Sequence, residues 1–131
     1  MNIKSIPDPK ETKNLYGLNK YLNTLKNLYL INKFPKVTLL SGKKGIGKST
    51  LIYHLLHFIF DRDNYNEEKN SIKNGTLFNK QFLNNLYPNI LHIKGINFKT
   101  ISIDDIRHLK SLLLKSSIDK KKRFIILDDI E

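Results

Sequence analysis

Cysteine is absent from the 131 residues, so disulfides and thiolate-ligated metal centres are excluded. Acidic residues are scarce: 12 Asp and Glu stand against 23 Lys and Arg, for a formal net charge of +11 and a pI near 9.8. A field of that sign favours polyanionic partners such as nucleic acid or phosphates without any specific contact. Heavy use of Lys, Asn and Ile, as in a chain encoded by AT-rich DNA, produces the same excess, and the two readings stand side by side. Long apolar runs are lacking too. The longest, Leu51 to Phe60, is interrupted by His54 and His57 and falls far short of a membrane span. Met1 to Pro9 has no apolar core of the kind a signal peptide needs, so a soluble cytoplasmic protein is expected. A length of 131 residues with 40% hydrophobic content suffices for one domain with a core and is too short for two of ordinary size.

Along the chain, Pro7 and Pro9 mark an extended lead-in. A helix is predicted from Glu11, with Thr12 as its N-cap, because Leu15, Leu18, Leu22, Leu25 and Leu28 recur every three or four residues. Phe34-Pro35 ends it, since proline disfavours helical geometry in the residue before it. Val37 to Leu40 reads as a short apolar strand, Ser41 to Gly47 as a glycine-containing turn, and Lys48 to about Phe60 as a helix. Asp61 to Tyr87 is polar and Asn-rich, a connection with one short helix predicted near Phe78 to Leu86. A second strand is predicted at Ile90 to Ile93. Ser102 and Asp105 have the spacing of a capping box, opening a helix to about Lys115 with Ile103, Ile106, Leu109 and Leu113 on one side. After a charged loop, Phe124 to Leu127 reads as a buried strand running into Asp128-Asp129.

The chemistry is concentrated in Gly42-Lys43-Lys44-Gly45-Ile46-Gly47-Lys48-Ser49, which fits G-x-x-x-x-G-K-[ST] at every fixed position. Glycines let the backbone turn its N–H groups inward as a nest for phosphate oxygens. The helix starting near Lys48 adds its positive dipole end to the same anion. The Lys48 ammonium can reach the terminal phosphates and the Ser49 hydroxyl can ligate Mg²⁺. Some eighty residues later, Asp128 ends a strand and is the matching Mg²⁺ ligand, while Asp129 is placed to polarise an attacking water. His54 and His57 sit three apart on the helix after the loop with no metal pattern around them, and read as packing or surface residues. Lys120 to Arg123 reads as a solvated loop before a strand.

Further residues carry a resemblance. Pro9-x-Glu11-Thr12-x-x-Leu15-x-Gly17, Phe34-Pro35, Gly42-x-x-Gly45-Ile46-Gly47-Lys48-x-Thr50-Leu51, Tyr87-Pro88-Asn89, Ile103-Asp104-x-Ile106-Arg107-x-Leu109 and Asp128-Asp129-Ile130-Glu131 follow one another. In this order they resemble the delta-prime subunits of the bacterial DNA polymerase III clamp loader, which are AAA+ proteins. The Ile103-to-Leu109 pattern is shared with the related gamma/tau subunits. The resemblance implies an α/β P-loop NTPase fold whose parallel sheet, of strand order 5-1-4-3-2, is flanked by helices. It implies ATP and Mg²⁺ as ligands and places Leu15 to Gly17 near the adenine and Thr50 with the phosphate loop. The implied partners are the gamma/tau and delta subunits, with the sliding clamp and primed DNA beyond them.

Three departures from the family pattern qualify it, and one further position bears on catalysis. Lys36 stands where the family often has His. The four-cysteine zinc module that many members carry is impossible here, so Asp61 to Tyr87 is expected to fold without zinc. Strands four and five, the lid and the collar would follow residue 131, so the sequence is expected to be the front part of an AAA+ domain, cut after the Walker B strand. Asp129, where active AAA+ ATPases usually have Glu, puts hydrolysis by this chain in doubt. A gamma/tau-type ATPase, another AAA+ ATPase of DNA metabolism and, more distantly, a P-loop kinase are the competing readings.

Overall fold

The computed structural model describes residues 8–94, 102–114 and 121–128. The chain divides into two units, Met1–Leu83 and Asn84–Glu131. The first holds helices α1 (Asn19–Leu30), α2 (Lys48–Phe60) and α3 (Leu77–Leu83); the second holds strands β1 (Ile90–Lys94) and β2 (Phe124–Asp128) with helix α4 (Ile103–Leu113) between them in sequence.

Helix α2 organises the first unit because it is apolar on every side. Leu51, Leu55 and Phe58 pack with Leu15, Leu22 and Leu25 from the α1 region and with Tyr65 and Ile72 from the connection after α2. Its other flank meets α3, where Tyr53 and His57 make edge-to-face contacts with Phe82 at 5.2 and 5.1 Å, and His57 another with Phe78 at 4.9 Å. Each fully buried Leu or Phe contributes roughly 1.5–3 kcal/mol, so a helix buried on both flanks is the main anchor of the unit.

The polar connection after α2 is held by hydrogen bonds. Asp61 accepts from the Thr76 hydroxyl at 2.6 Å and from the Asn64 amide at 2.8 Å. The Thr76 oxygen in turn accepts from the Asn79 backbone N–H at 3.1 Å, an N-cap for α3. Asn79 accepts from the Gly75 N–H and reaches His57 Nε2 at 3.2 Å. Ser71 pairs with both Asn66 and Asn14 in isolated antiparallel bridges. Lys26 is buried between the rings of Phe58 and Tyr65, at 5.0 and 5.1 Å, and donates to Asn70 Oδ1 at 2.8 Å. Burial pushes its ammonium below the usual lysine range.

Two expectations for this unit are corrected. The first long helix begins at Asn19, not Glu11: Pro9–Glu11 is a single 3₁₀ turn, Asn14 bridges to Ser71, and Gly17 takes φ +73°. That left-handed residue breaks the helix before the leucine pattern settles. Val37 to Leu40 forms no strand; Val37 and Leu39 are 86% and 83% exposed, and only Leu40 packs against the core. An extended segment becomes a strand only when its N–H and C=O groups are paired, and among the described residues none pairs with this one.

In the second unit β1 and β2 run parallel, Ile90 opposite Phe124 through Lys94 opposite Asp128. The capping box forms: Ser102 N–H donates to Asp105 Oδ2 at 2.8 Å and Asp105 N–H to Ser102 Oγ at 3.2 Å, which holds the Asp105 carboxyl below its usual range. β2 alternates half-buried and exposed, with Ile125 and Leu127 at 38% and 42%, so it is not buried on both faces as its apolar run suggests. On α4, Ile103 and Ile106 are also exposed.

Candidate nucleotide-binding site

The phosphate-type loop lies directly before α2. Gly45 and Gly47 take φ of +84° and +94°, left-handed values that glycine alone adopts at little cost. Gly47 is the N-cap of α2, and no side chain caps the helix or places an acid in its first turn. No acid in the helix's own first turn therefore offsets the positive end of its dipole.

Lys48 folds back over the loop, its Nζ donating to the carbonyls of Gly42 at 2.7 Å and Lys43 at 3.1 Å. The ammonium is thereby held above the bend that the glycines make. Lys43 and Lys44 are exposed, Ser49 is half-buried at the helix start and Thr50 is buried. Ile46 lies over Gly42, where an added Cβ would stand 2.6 Å from Ile46 Cδ1.

The segment before α1 approaches the same loop. A Cβ on Gly47 would stand 3.4 Å from Leu18 Cδ1, a proximity the sequence pattern does not display. Leu15 is buried in the core cluster, so its side chain is committed to packing, whereas Gly17 turns with an open face. Gly47→Ala is expected to lower the stability of the chain by about 1–2 kcal/mol, the cost of a left-handed alanine, and to weaken ATP binding. Thermal melting and a nucleotide titration check this; an unchanged melting point would show that the turn tolerates a side chain.

His54 and His57 belong to the core. Both are fully buried. His54 Nε2 faces the Thr12 carbonyl at 3.2 Å and its Nδ1 the Tyr65 hydroxyl at 3.0 Å. His57 Nδ1 faces the Tyr53 carbonyl at 2.7 Å. Carbonyls only accept, so His54 is protonated on Nε2 and His57 on Nδ1, each neutral, with the second nitrogen accepting from Tyr65 or Asn79.

In the second unit Asp128 ends β2, at the carboxyl end of a parallel pair, the edge at which ligands bind in α/β sheets. His92 of β1 stands beside it, Nε2 to Oδ2 3.6 Å, with side chains 10% and 22% exposed. This neighbour is invisible in the sequence without the strand register. Asp129 lies outside the described residues. Among the described residues no helix is long and apolar enough to cross a membrane.

A family model described as DNA polymerase III, delta subunit, matches residues 17–131. No curated protein and no solved structure matches the chain.

Proposed function

Since the chain belongs to the DNA polymerase III delta-subunit family of the clamp loader, we propose that it is a delta-prime-type AAA+ subunit that binds ATP·Mg²⁺. It would act with gamma/tau and delta subunits to place the sliding clamp on primed DNA. The observation that carries the ATP reading is the loop itself: all fixed positions from Gly42 to Ser49 are kept, two glycines take left-handed turns, and the Lys48 ammonium is held over the bend at an uncapped helix start.

Each residue has a task in this reading. The loop N–H groups and the dipole of α2 take the phosphate oxygens. Lys48 exchanges its two carbonyl partners for phosphate. The Ser49 hydroxyl and Asp128 carboxylate are hard oxygen donors of the type Mg²⁺ accepts; the ion would neutralise phosphate charge. Gly17 leaves room beside the loop for the base. Asp129 is one methylene shorter than the Glu of active ATPases, so it would hold an attacking water poorly, which favours binding without turnover over a gamma/tau-type motor.

The expected result is one equivalent of labelled ATP bound per chain, with no phosphate released over many binding lifetimes. Absence of ATP binding would overturn the nucleotide role, and steady phosphate release would favour the motor reading.

A further inference from the structure

The connection between α2 and α3 carries the one Asn-Gly step of the chain, Asn74-Gly75, in an exposed turn that the nucleotide reading does not use. An asparagine followed by glycine is chemically vulnerable. The next backbone nitrogen can attack the side-chain carbonyl carbon, and glycine, having no Cβ, shields that nitrogen least. Every other asparagine here is followed by a residue with a side chain. The fold adds no shield of its own, since a Cβ built on Gly75 would meet nothing within 4 Å. One contact opposes the attack: the Gly75 N–H donates to Asn79 Oδ1 at 3.1 Å. That acceptor is held in place, because Asn79 is buried, its N–H donates to Thr76 Oγ at 3.1 Å and its side-chain amide reaches His57 Nε2 at 3.2 Å. The nitrogen must give up its proton before it attacks, and a bonded N–H retains it.

We propose that Asn74 is a site of spontaneous covalent modification, and that the bond from Gly75 to Asn79 sets its rate. The Gly75 nitrogen loses its proton to solvent hydroxide and forms a bond to Asn74 Cγ. The bond from Cγ to the side-chain nitrogen breaks, and that nitrogen takes up a proton and leaves as ammonia, giving a succinimide. Water then opens the ring: attack at Cγ yields aspartate, and attack at the former main-chain carbonyl yields isoaspartate. No oxidant or reductant takes part. Isoaspartate routes the main chain through the old side chain and lengthens it by a methylene, which draws the Gly75 N–H away from Asn79 and frees the start of α3. Helix α3 has only 7 residues, and opening so short an element takes a fraction of the global unfolding free energy. The modification therefore records how often this connection opens.

The test incubates the full chain in mildly alkaline buffer, then maps its peptides by mass spectrometry and identifies isoaspartate by enzymatic methylation of its carboxylate. Asn74 is expected to convert before any other asparagine, mostly to isoaspartate. Its rate in the folded chain should be about fivefold or more below that in urea, the worth of one hydrogen bond. Asn79→Ala removes the acceptor and is expected to bring the rate in buffer up to the urea value. A measurement on the unaltered sequence guards against a variant that fails to fold: in low urea, conversion should rise in proportion to hydrogen exchange at the Gly75 N–H. Earlier conversion at another asparagine, a rate in buffer no lower than in urea, or conversion that does not follow Gly75 exchange would overturn the proposal. An unchanged rate in a cooperatively melting Asn79→Ala chain would do the same.

Discussion

Replacing Lys48 by alanine is expected to weaken ATP binding by roughly 100-fold while leaving the chain folded. The ammonium donates to the carbonyls of Gly42 and Lys43 at 2.7 and 3.1 Å, both on an exposed loop where water can take its place. Removing it therefore costs little stability, since an exposed hydrogen bond is readily exchanged for one to solvent. In the complex the same donors face phosphate oxygens, and hydrogen bonds between charged groups contribute about 1.5–3 kcal/mol. Loss of about 3 kcal/mol corresponds to roughly two powers of ten in affinity. Fluorescence polarisation with labelled ATP reads the affinity, and circular dichroism with thermal melting reads the fold. Equal affinity in the variant would remove the phosphate-loop assignment, whereas loss of affinity with an intact melt is the signature of a ligand contact.

The parts of this fold that were legible in the sequence are those set by neighbours in the chain. Helix α2 runs from Lys48 to Phe60 as its pattern indicates, because Gly47 starts it and its apolar residues need burial on both sides. The capping box at Ser102 and Asp105 forms with the bonds its spacing implies. The two later strands stand where β-branched runs place them, and their parallel pairing agrees with an intervening helix. The misreadings arose where partners are distant. Leucine spacing at Leu15 and Leu18 continues the pattern of α1, yet Gly17 breaks the helix and Asn14 pairs with Ser71 instead. Val37 to Leu40 has strand chemistry, but a strand is a property of a pair and no local signal supplies the mate. At the candidate site, the glycine-containing turn and the helix start after it were readable in the sequence, while Leu18 beside Gly47 and His92 beside Asp128 depend on tertiary approach and strand register.

Acidification below about pH 6.5 is expected to destabilise the first unit, because two neutral histidines lie in its core. Burial lowers the pKa of His54 to about 4, against a partial offset from its bond to the Thr12 carbonyl, with His57 and Lys26 adding repulsion. Burial lowers His57 as well, against its bond to the Tyr53 carbonyl and the nearby Asp61 charge. In the unfolded chain a histidine takes up its proton near pH 6.5. The unfolded state therefore binds more protons between about pH 6.5 and 4. Stability is fully present above pH 6.5 and is lost progressively as pH falls toward 4. For His54 alone the loss between pH 7.5 and 4.5 is about 2.5 kcal/mol, and His57 adds to it in the same direction. A protonated His54 would have to donate to the Tyr65 hydroxyl oxygen in place of accepting from it, so the bond between α2 and the connection survives with its direction reversed and the cost of acidification is that of charging a buried ring. Urea midpoints across this pH range measure the effect. His54→Gln keeps a donor for Thr12 and an acceptor for Tyr65 but does not titrate, so its curve should be flatter by about 2.5 kcal/mol, whatever its stability at neutral pH. An identical slope in His54→Gln would place the acid sensitivity elsewhere and would deny the neutral tautomer that the Thr12 carbonyl imposes.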